Sequence, residues 1–145
     1  MNLLNRNTDY ALRAIMYIAR QKREFVSTLE LNEELGLPRP FMRKIFLSLQ
    51  QEGILNSVKG NGGGFSLSKP PEKIYLKNVM RIFQGEFNYS DCLFKKKFCP
   101  SVRNCPLRRE VKRVEGIVAA ELDKVTLRKL MGKGKPYEKK NHKNR

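Results

Sequence analysis

The sequence predicts a mainly α-helical chain that carries one small β-hairpin. Apolar residues recur at intervals of three and four positions in the N-terminal third and again over 106–131, which is typical of helices. Between these regions, 54–68 alternates apolar and polar residues around a run in which four of six residues are glycine, as in a hairpin. The first helix is expected over 8–21, with Thr8 as its N-cap.

A helix-turn-helix unit is predicted after the first helix. The second helix begins at Ser27, which has the spacing of a capping box with Glu30, and it ends at Gly36. The third helix begins within 38–40, because proline is favoured in the first turn, and it ends near Gly53. Two short helices joined by a tight turn that contains glycine form this unit.

The hairpin follows the helix-turn-helix unit directly, and a hairpin in that place is a wing. Its strands are the segments ILNSV and FSLS, and its tip is KGNGGG, whose glycines allow close approach to another backbone. Beyond it, KPPEK interrupts the chain, and IYLKNVMRIFQGEF indicates a short strand and a helix. We therefore expect 1–84 to form a winged helix-turn-helix domain.

The C-terminal third is predicted to contain a long helix over 106–131. One stripe of this helix is apolar and close to a coiled-coil seam, and it consists of Leu107, Val111, Val114, Val118, Leu122 and Val125. An exposed apolar stripe needs a partner, and a second copy of the chain is the simplest one, so we expect a dimerisation helix and a homodimer. The remaining 132–145 has six basic residues and one acidic residue, and is expected to be a disordered basic tail.

The overall charge limits the possible partners. A net charge of +16 and an isoelectric point of about 10.1 favour a polyanion. No apolar run is long enough to span a membrane, and the N-terminus lacks the layout of a signal peptide, so a cytoplasmic chain without a membrane partner is expected. An enzyme is not expected, because the sequence has no placed catalytic histidine, phosphate loop or paired carboxylates.

The predicted recognition helix and wing supply the residues expected to contact double-stranded DNA. Arginine can bond a guanine edge twice, lysine more often meets phosphate, and helix N-termini also favour phosphate. A dimer would read a palindromic site. Taken singly, each residue has an ordinary alternative as solvated charge, helix cap or plain loop, and an RNA-associated protein is a further alternative. The expected contacts are Ser27, Thr28, Arg39, Pro40, Arg43, Lys44, Lys59, Gly60, Asn61 and Gly62.

All three cysteines fall in one segment, 85–105, at Cys92, Cys99 and Cys105. In a reducing compartment, clustered cysteines favour metal binding or redox chemistry over structural disulfides. Three is an odd number, so one disulfide would leave a thiol over. The many lysines and arginines nearby favour the thiolate form, which binds metals. An iron–sulfur cluster, zinc, a thiol–disulfide switch and three plain reduced thiols remain open on these residues alone.

The stretches NTDYALRAIMYIA and VKGNGGGFSLSKPPEKI resemble the first helix and the wing of winged-helix regulators of the Rrf-two type, which include IscR and NsrR. The resemblance covers roughly residues 1–131. It implies a homodimer that represses or activates transcription, with a long dimerisation helix. In many members three cysteines between the wing domain and that helix hold an iron–sulfur cluster, and here those positions are Cys92, Cys99 and Cys105.

The resemblance also bears on the fourth ligand of such a cluster. IscR-like members have a histidine shortly after the third cysteine, but this chain has Arg108 in that region and its sole histidine is His142. NsrR-like members use an aspartate early in the first helix of the other subunit, and Asp9 stands at the matching place. The NsrR-like ligand pattern favours a 4Fe-4S cluster over a 2Fe-2S cluster. The resemblance implies that this cluster would sense nitric oxide, redox or iron–sulfur status. The ordinary alternative for Asp9 is an acid stabilised by the helix dipole.

Overall fold

The computed structural model describes residues 3–85 and 104–132. Within them, three helices are followed by a two-stranded antiparallel hairpin, one turn of 3-10 helix at Pro71–Lys73 and three more helices. This order confirms the mainly helical fold with a hairpin wing. The elements are α1 (Arg6–Arg20), α2 (Thr28–Leu35), α3 (Arg39–Gln51), β1 (Leu55–Val58), β2 (Gly64–Leu67), α4 (Leu76–Gln84), α5 (Pro106–Leu122) and α6 (Leu127–Met131).

Helix α1 begins earlier than predicted, and Thr8 is not its N-cap. Asn5 is the cap: its Oδ1 accepts hydrogen bonds from the backbone N of Thr8 at 2.8 Å and from the Thr8 hydroxyl at 2.9 Å. Thr8 is fully buried one turn into the helix, where its Oγ1 also lies 3.0 Å from Oε1 of Gln84. Asn5 and Thr8 are both good capping residues, and the contact with the end of α4 is what places Thr8 inside the helix.

The helix-turn-helix unit has the predicted ends. The Ser27 hydroxyl accepts from the backbone N of Glu30 at 3.2 Å, and α2 ends at Gly36 in the left-handed conformation, with φ of 62°. Helix α3 starts at Arg39 after Pro38. Its inner face carries four buried side chains that pack in the core, namely Met42, Ile45, Phe46 and Leu49.

The carboxylate of Glu30 departs from the capping-box pattern because it bonds α1 instead. The Tyr17 hydroxyl donates to Glu30 Oε1 at 2.6 Å, and Arg23 pairs with the same oxygen. Burial, together with the bond to this carboxylate, raises the pKa of Tyr17 to about 12. The arrangement joins the C-terminal half of α1 to the first turn of α2, and so helps to fix the helix-turn-helix unit on α1.

The hairpin is held to the start of α2. Strands β1 and β2 pair from Leu55 with Leu67 to Val58 with Gly64. Near the start of β2, Phe65 exchanges two backbone hydrogen bonds with Val26, both 2.9 Å long. Because Val26 directly precedes the N-cap of α2, the wing and the N-terminus of α2 are fixed relative to each other.

The predicted single helix over 106–131 is wrong, because the structure divides it. Helix α5 ends at Leu122, and the chain then pairs with the segment before α4: the Leu76 N donates to the Val125 carbonyl at 2.8 Å, and the Leu127 N donates to the Ile74 carbonyl at 2.7 Å. Leu127 then enters the core as the first residue of α6. The backbone pairing of Val125 and Leu127, together with the burial of the Leu127 side chain, ends α5 where the apolar spacing predicted that the helix would continue. The short strand predicted at the start of IYLKNVMRIFQGEF, just before α4, is reduced to one bridge, between Tyr75 and Thr126.

None of the described helices combines the length and the apolar character that crossing a bilayer requires.

Candidate nucleic-acid interface and cysteine site

A groove of about 840 Å³ runs between the N-terminus of α2, the outer face of α3 and the hairpin. We call it the basic groove. Its floor includes the aromatic rings of Phe46 and Phe65, whose centroids are 4.5 Å apart. The side chains and glycines that line it are Ser27, Thr28, Leu29, Asn32, Arg39, Arg43, Phe46, Leu47, Gln50, Ser57, Val58, Lys59, Gly60, Gly63, Gly64 and Phe65.

The basic groove brings together six of the ten residues predicted to contact DNA. They come from three separate elements and are Ser27, Thr28, Arg39, Arg43, Lys59 and Gly60. The other four are exposed next to it but do not line it: Pro40 and Lys44 on α3, and Asn61 and Gly62 at the hairpin tip. Residues that are up to 33 positions apart in the chain therefore share one surface.

The electrostatics of the basic groove favour an anion. Arg39, Arg43 and Lys59 are exposed, and the residues that line the groove include no aspartate or glutamate. Among the described residues, no carboxylate forms an ion pair with these three cations. A surface of this kind attracts a polyanion, and its cations are available to bind phosphate or base edges.

Two glycines of the predicted tip that were not among the expected contact residues, Gly63 and Gly64, set the shape of the basic groove. A Cβ on Gly64 would lie 2.2 Å from the Val26 carbonyl oxygen, and one on Gly63 would lie 2.2 Å from the Val58 carbonyl oxygen. The sequence pattern indicates close backbone approach somewhere in the glycine-rich tip, and the structure assigns it to these two glycines, where the tip ends and β2 begins. The glycine run was the available signal, but without the position of Val26 it could not show which glycine is required.

Of the predicted cluster ligands, the structure describes Cys105 and Asp9. Cys105 is half-buried with a free thiol and stands at the N-cap of α5. Asp9 lies in the first turn of α1, half-exposed, and its Oδ2 accepts from Nε of Arg13 at 2.9 Å. Cys92 and Cys99 lie outside the described residues, as do Lys133 to Arg145 of the predicted tail.

The donor chemistry of the chain fits an iron–sulfur cluster, whereas the described residues alone do not make a site. Three thiols within one short segment are the ligand type that such clusters use. Over 3–85 and 104–132, no three His, Cys, Asp or Glu side chains of one chain are grouped so that they could hold a metal ion. A complete site would therefore need Cys92 and Cys99.

Helix α5 presents an apolar face that the described residues, 3–85 and 104–132, leave uncovered. None of its residues is buried, and Leu107, Val114 and Ile117 are each about half or more exposed. The predicted stripe behaves differently at its two ends, because Leu122 and Val125 pack against the core of the same chain. The uncovered face is thus the first three turns of α5, and Ile117 belongs to it although the predicted stripe omitted that residue.

The helix-turn-helix unit, the pinned wing and the basic groove define a winged-helix DNA-binding protein of the transcription-regulator class. A family model described as Rrf2, iron-dependent transcriptional regulator, matches residues 4–133, and the chain belongs to this family. The resemblance seen in the sequence is therefore confirmed. Members of the family regulate transcription and are not enzymes.

Individual relatives agree with this assignment. The HTH-type transcriptional regulator NsrR of Bacillus subtilis is 29% identical over 130 residues, which cover 88% of this chain and 89% of NsrR. The structure of CymR (YrzC), the global cysteine regulator of B. subtilis, has a TM-score of 0.77 at 20% identity, over 93% of this chain and 100% of CymR. The structure of IscR of T. potens has a TM-score of 0.68 at 22% identity, and the match covers 90% of this chain and 86% of IscR.

Proposed function

We propose that this regulator is a homodimer that binds a palindromic operator in double-stranded DNA through the basic groove, and that the cysteine segment controls its affinity. The observation that carries the DNA-binding part is the convergence of cations from α3 and the hairpin on one groove without a carboxylate. Helix α3 enters the major groove, and the hairpin tip contacts the adjoining backbone or minor groove. A DNA partner implies a cytoplasmic location.

Each part of the basic groove has a distinct role in this proposal. Arg39 and Arg43, one turn apart on α3, contact base edges or phosphates. Ser27 and Thr28 place the N-terminus of α2 against a phosphate, where the helix dipole favours negative charge. Lys59 leads into the hairpin tip and binds phosphate from the other side. Pro40, Lys44, Gly60, Asn61 and Gly62 complete the proposed contact surface.

The uncovered face of α5 supports the homodimer. An apolar face of this length is unfavourable in water and is stabilised by a second helix. The same face on a second chain is the partner that its own apolar pattern fits, and a two-fold pair of recognition helices reads a palindrome. The proposed dimerisation region is accordingly the described α5, because α6 packs with the N-terminal elements.

For control of DNA binding, we propose an iron–sulfur cluster held by Cys92, Cys99 and Cys105, with Asp9 of the partner subunit as the fourth ligand and 4Fe-4S favoured over 2Fe-2S. When bound, such a cluster supplies an iron that reacts with nitric oxide or oxidants. Cys105 is suited to the ligand role because its thiol is free and it stands at the joint where α5 begins. Asp9 is half-exposed, so another subunit could reach it, but it would have to leave Arg13.

The connection from the cysteine segment to α1 supports this control. The segment follows α4, whose last residue, Gln84, accepts a hydrogen bond from the Asn5 backbone N at 3.1 Å through its Oε1, which also lies 3.0 Å from the Thr8 hydroxyl. Asp9 directly follows Thr8. A rearrangement of the cysteine segment therefore acts on the start of α1, and hence on the spacing of the two recognition helices in a dimer.

A second candidate is a regulator that uses its thiols without a cluster. The observation that favours it is the structural likeness to CymR, described as a global cysteine regulator, together with the free, half-buried thiol of Cys105. Oxidation or zinc binding at the cysteines would then change the same joint. Analysis of iron and acid-labile sulfide in protein purified without oxygen separates the two candidates.

Lys59→Ala tests the proposed wing contact. We expect weaker binding to duplex DNA and a salt dependence, measured as log affinity against log salt, that is shallower by about two, because the homodimer loses one phosphate contact in each subunit. Lys129→Ala is the matched control, since Lys129 is exposed on α6 and does not line the basic groove. If both variants had the wild-type slope, the wing contact would have to be abandoned.

A further inference from the structure

Three exposed apolar side chains line the basic groove, and binding of an anion by the cations of the groove does not explain their presence there. Leu29 of α2 is 57% exposed, Leu47 of α3 is 52% exposed and Val58 of β1 is 48% exposed. Scattered exposed apolar residues need no explanation. Here, however, three of the ten large ones in the described part of the chain line one groove. The surface therefore fits a ligand that is anionic and also offers apolar groups.

Leu47 is the best placed of the three to meet a base edge. It follows Arg43 by four residues and Arg39 by eight, so all three lie in one row on the outer face of α3. Packing does not explain it, because the core side of α3 is already occupied by four buried side chains. Four residues advance a helix by about 6 Å, so Leu47 lies within about two base-pair steps of Arg43 when α3 lies in a major groove.

We infer that Leu47 is a specificity-determining residue that contacts the 5-methyl group of thymine in the operator, and that Leu29 and Val58 border the same apolar part of the basic groove. This inference rests on the proposed DNA binding and adds one base to what the groove recognises. In the major groove, the methyl group is the apolar feature that marks thymine, and aliphatic side chains read it by contact. Arg39 and Arg43 beside it bind phosphates or guanine edges, so the apolar and charged contacts fit one ligand.

The test does not require the operator sequence to be known. The wild-type protein selects duplexes from a random-sequence library, and each thymine of an enriched duplex is then replaced by uracil, which removes the methyl group and keeps the base pairing. At one thymine position in each half-site, we expect uracil to weaken binding by about fourfold, which is the free energy of burying one methyl-sized group expressed as a ratio. Leu47→Ala should bind the thymine and uracil duplexes equally.

Leu130→Ala is the control for this experiment, because Leu130 is an exposed leucine on α6 outside the basic groove, and this variant should keep the fourfold preference. If a duplex is enriched but uracil is tolerated at every position, or if Leu47→Ala keeps the preference, the inference is wrong while the DNA-binding proposal stands. Tolerance of uracil is also the result expected if the groove holds an apolar segment of an acidic protein. If no duplex is enriched, both the inference and the proposed function fail.

Discussion

Gly64→Ala is expected to lower the free energy of unfolding by about 3 kcal/mol or more and to reduce binding to duplex DNA. The added Cβ would lie 2.2 Å from the Val26 carbonyl oxygen and 2.6 Å from its carbon, and the residue has a φ of 156°. Relief requires the hairpin to leave Val26, which breaks the two hydrogen bonds between Val26 and Phe65. The contact of Phe65 with Phe46 weakens with them, and the hairpin loses its fixed position beside α2.

Gly62→Ala is the control in the same hairpin. Gly62 has a φ of 81° and open space around the Cβ position, so alanine there should cost only about 1 kcal/mol of backbone strain. Denaturant unfolding measures both stabilities, whereas titration of duplex DNA compares Gly64→Ala with the wild type alone, because Gly62 itself belongs to the proposed contact surface. Equal destabilisation by the two substitutions would show that the close approach to Val26 is not what requires glycine at position 64.

Leu127→Ala is expected to destabilise the protein by about 3 kcal/mol, the usual cost of emptying a buried leucine site. Only 1% of Leu127 is exposed, and its backbone N bonds the Ile74 carbonyl at 2.7 Å. The loss should appear in the unfolding of the whole helical core, because α6 packs together with the N-terminal elements. Denaturant unfolding followed by circular dichroism measures it.

Leu130→Ala serves as the comparison on the same helix, where the side chain is 38% exposed. That substitution should change stability by less than about 1 kcal/mol, as surface changes usually do. If Leu127→Ala were as mild as Leu130→Ala, α6 would not belong to the core. One continuous helix through 131, as the apolar spacing predicts, would then regain support.

The helix-turn-helix unit was predictable from local signals. Ser27 as the cap of α2, Gly36 at its end and proline at the start of α3 each act within a few residues, and the structure has all three in those roles. The candidate DNA-binding residues were found for a similar reason, since cations beside a glycine-rich tip are visible in the sequence. Six of them do share the basic groove.

The errors arose where distant parts of the chain decide the outcome. Threonine is a favoured N-cap residue, but the contact of Thr8 with Gln84, far along the chain, places Thr8 inside α1. The apolar spacing beyond Leu122 fitted a continuous helix, but pairing of Val125 and Leu127 with the segment before α4 ends it. Likewise, Leu47 could not be recognised in the sequence, because exposure of an apolar residue is visible only once the core is known.

The proposal that the cysteines control DNA binding is tested most directly by one measurement. Protein is purified without oxygen, iron and acid-labile sulfide are determined, and the affinity for a selected duplex is measured before and after the cluster is removed with a chelator. We expect both elements to be retained by the wild type and lost in Cys105→Ala, and the affinity to change by about tenfold when they are removed. Wild-type protein that never retains iron and sulfide, or that binds DNA equally in both states, would contradict the account.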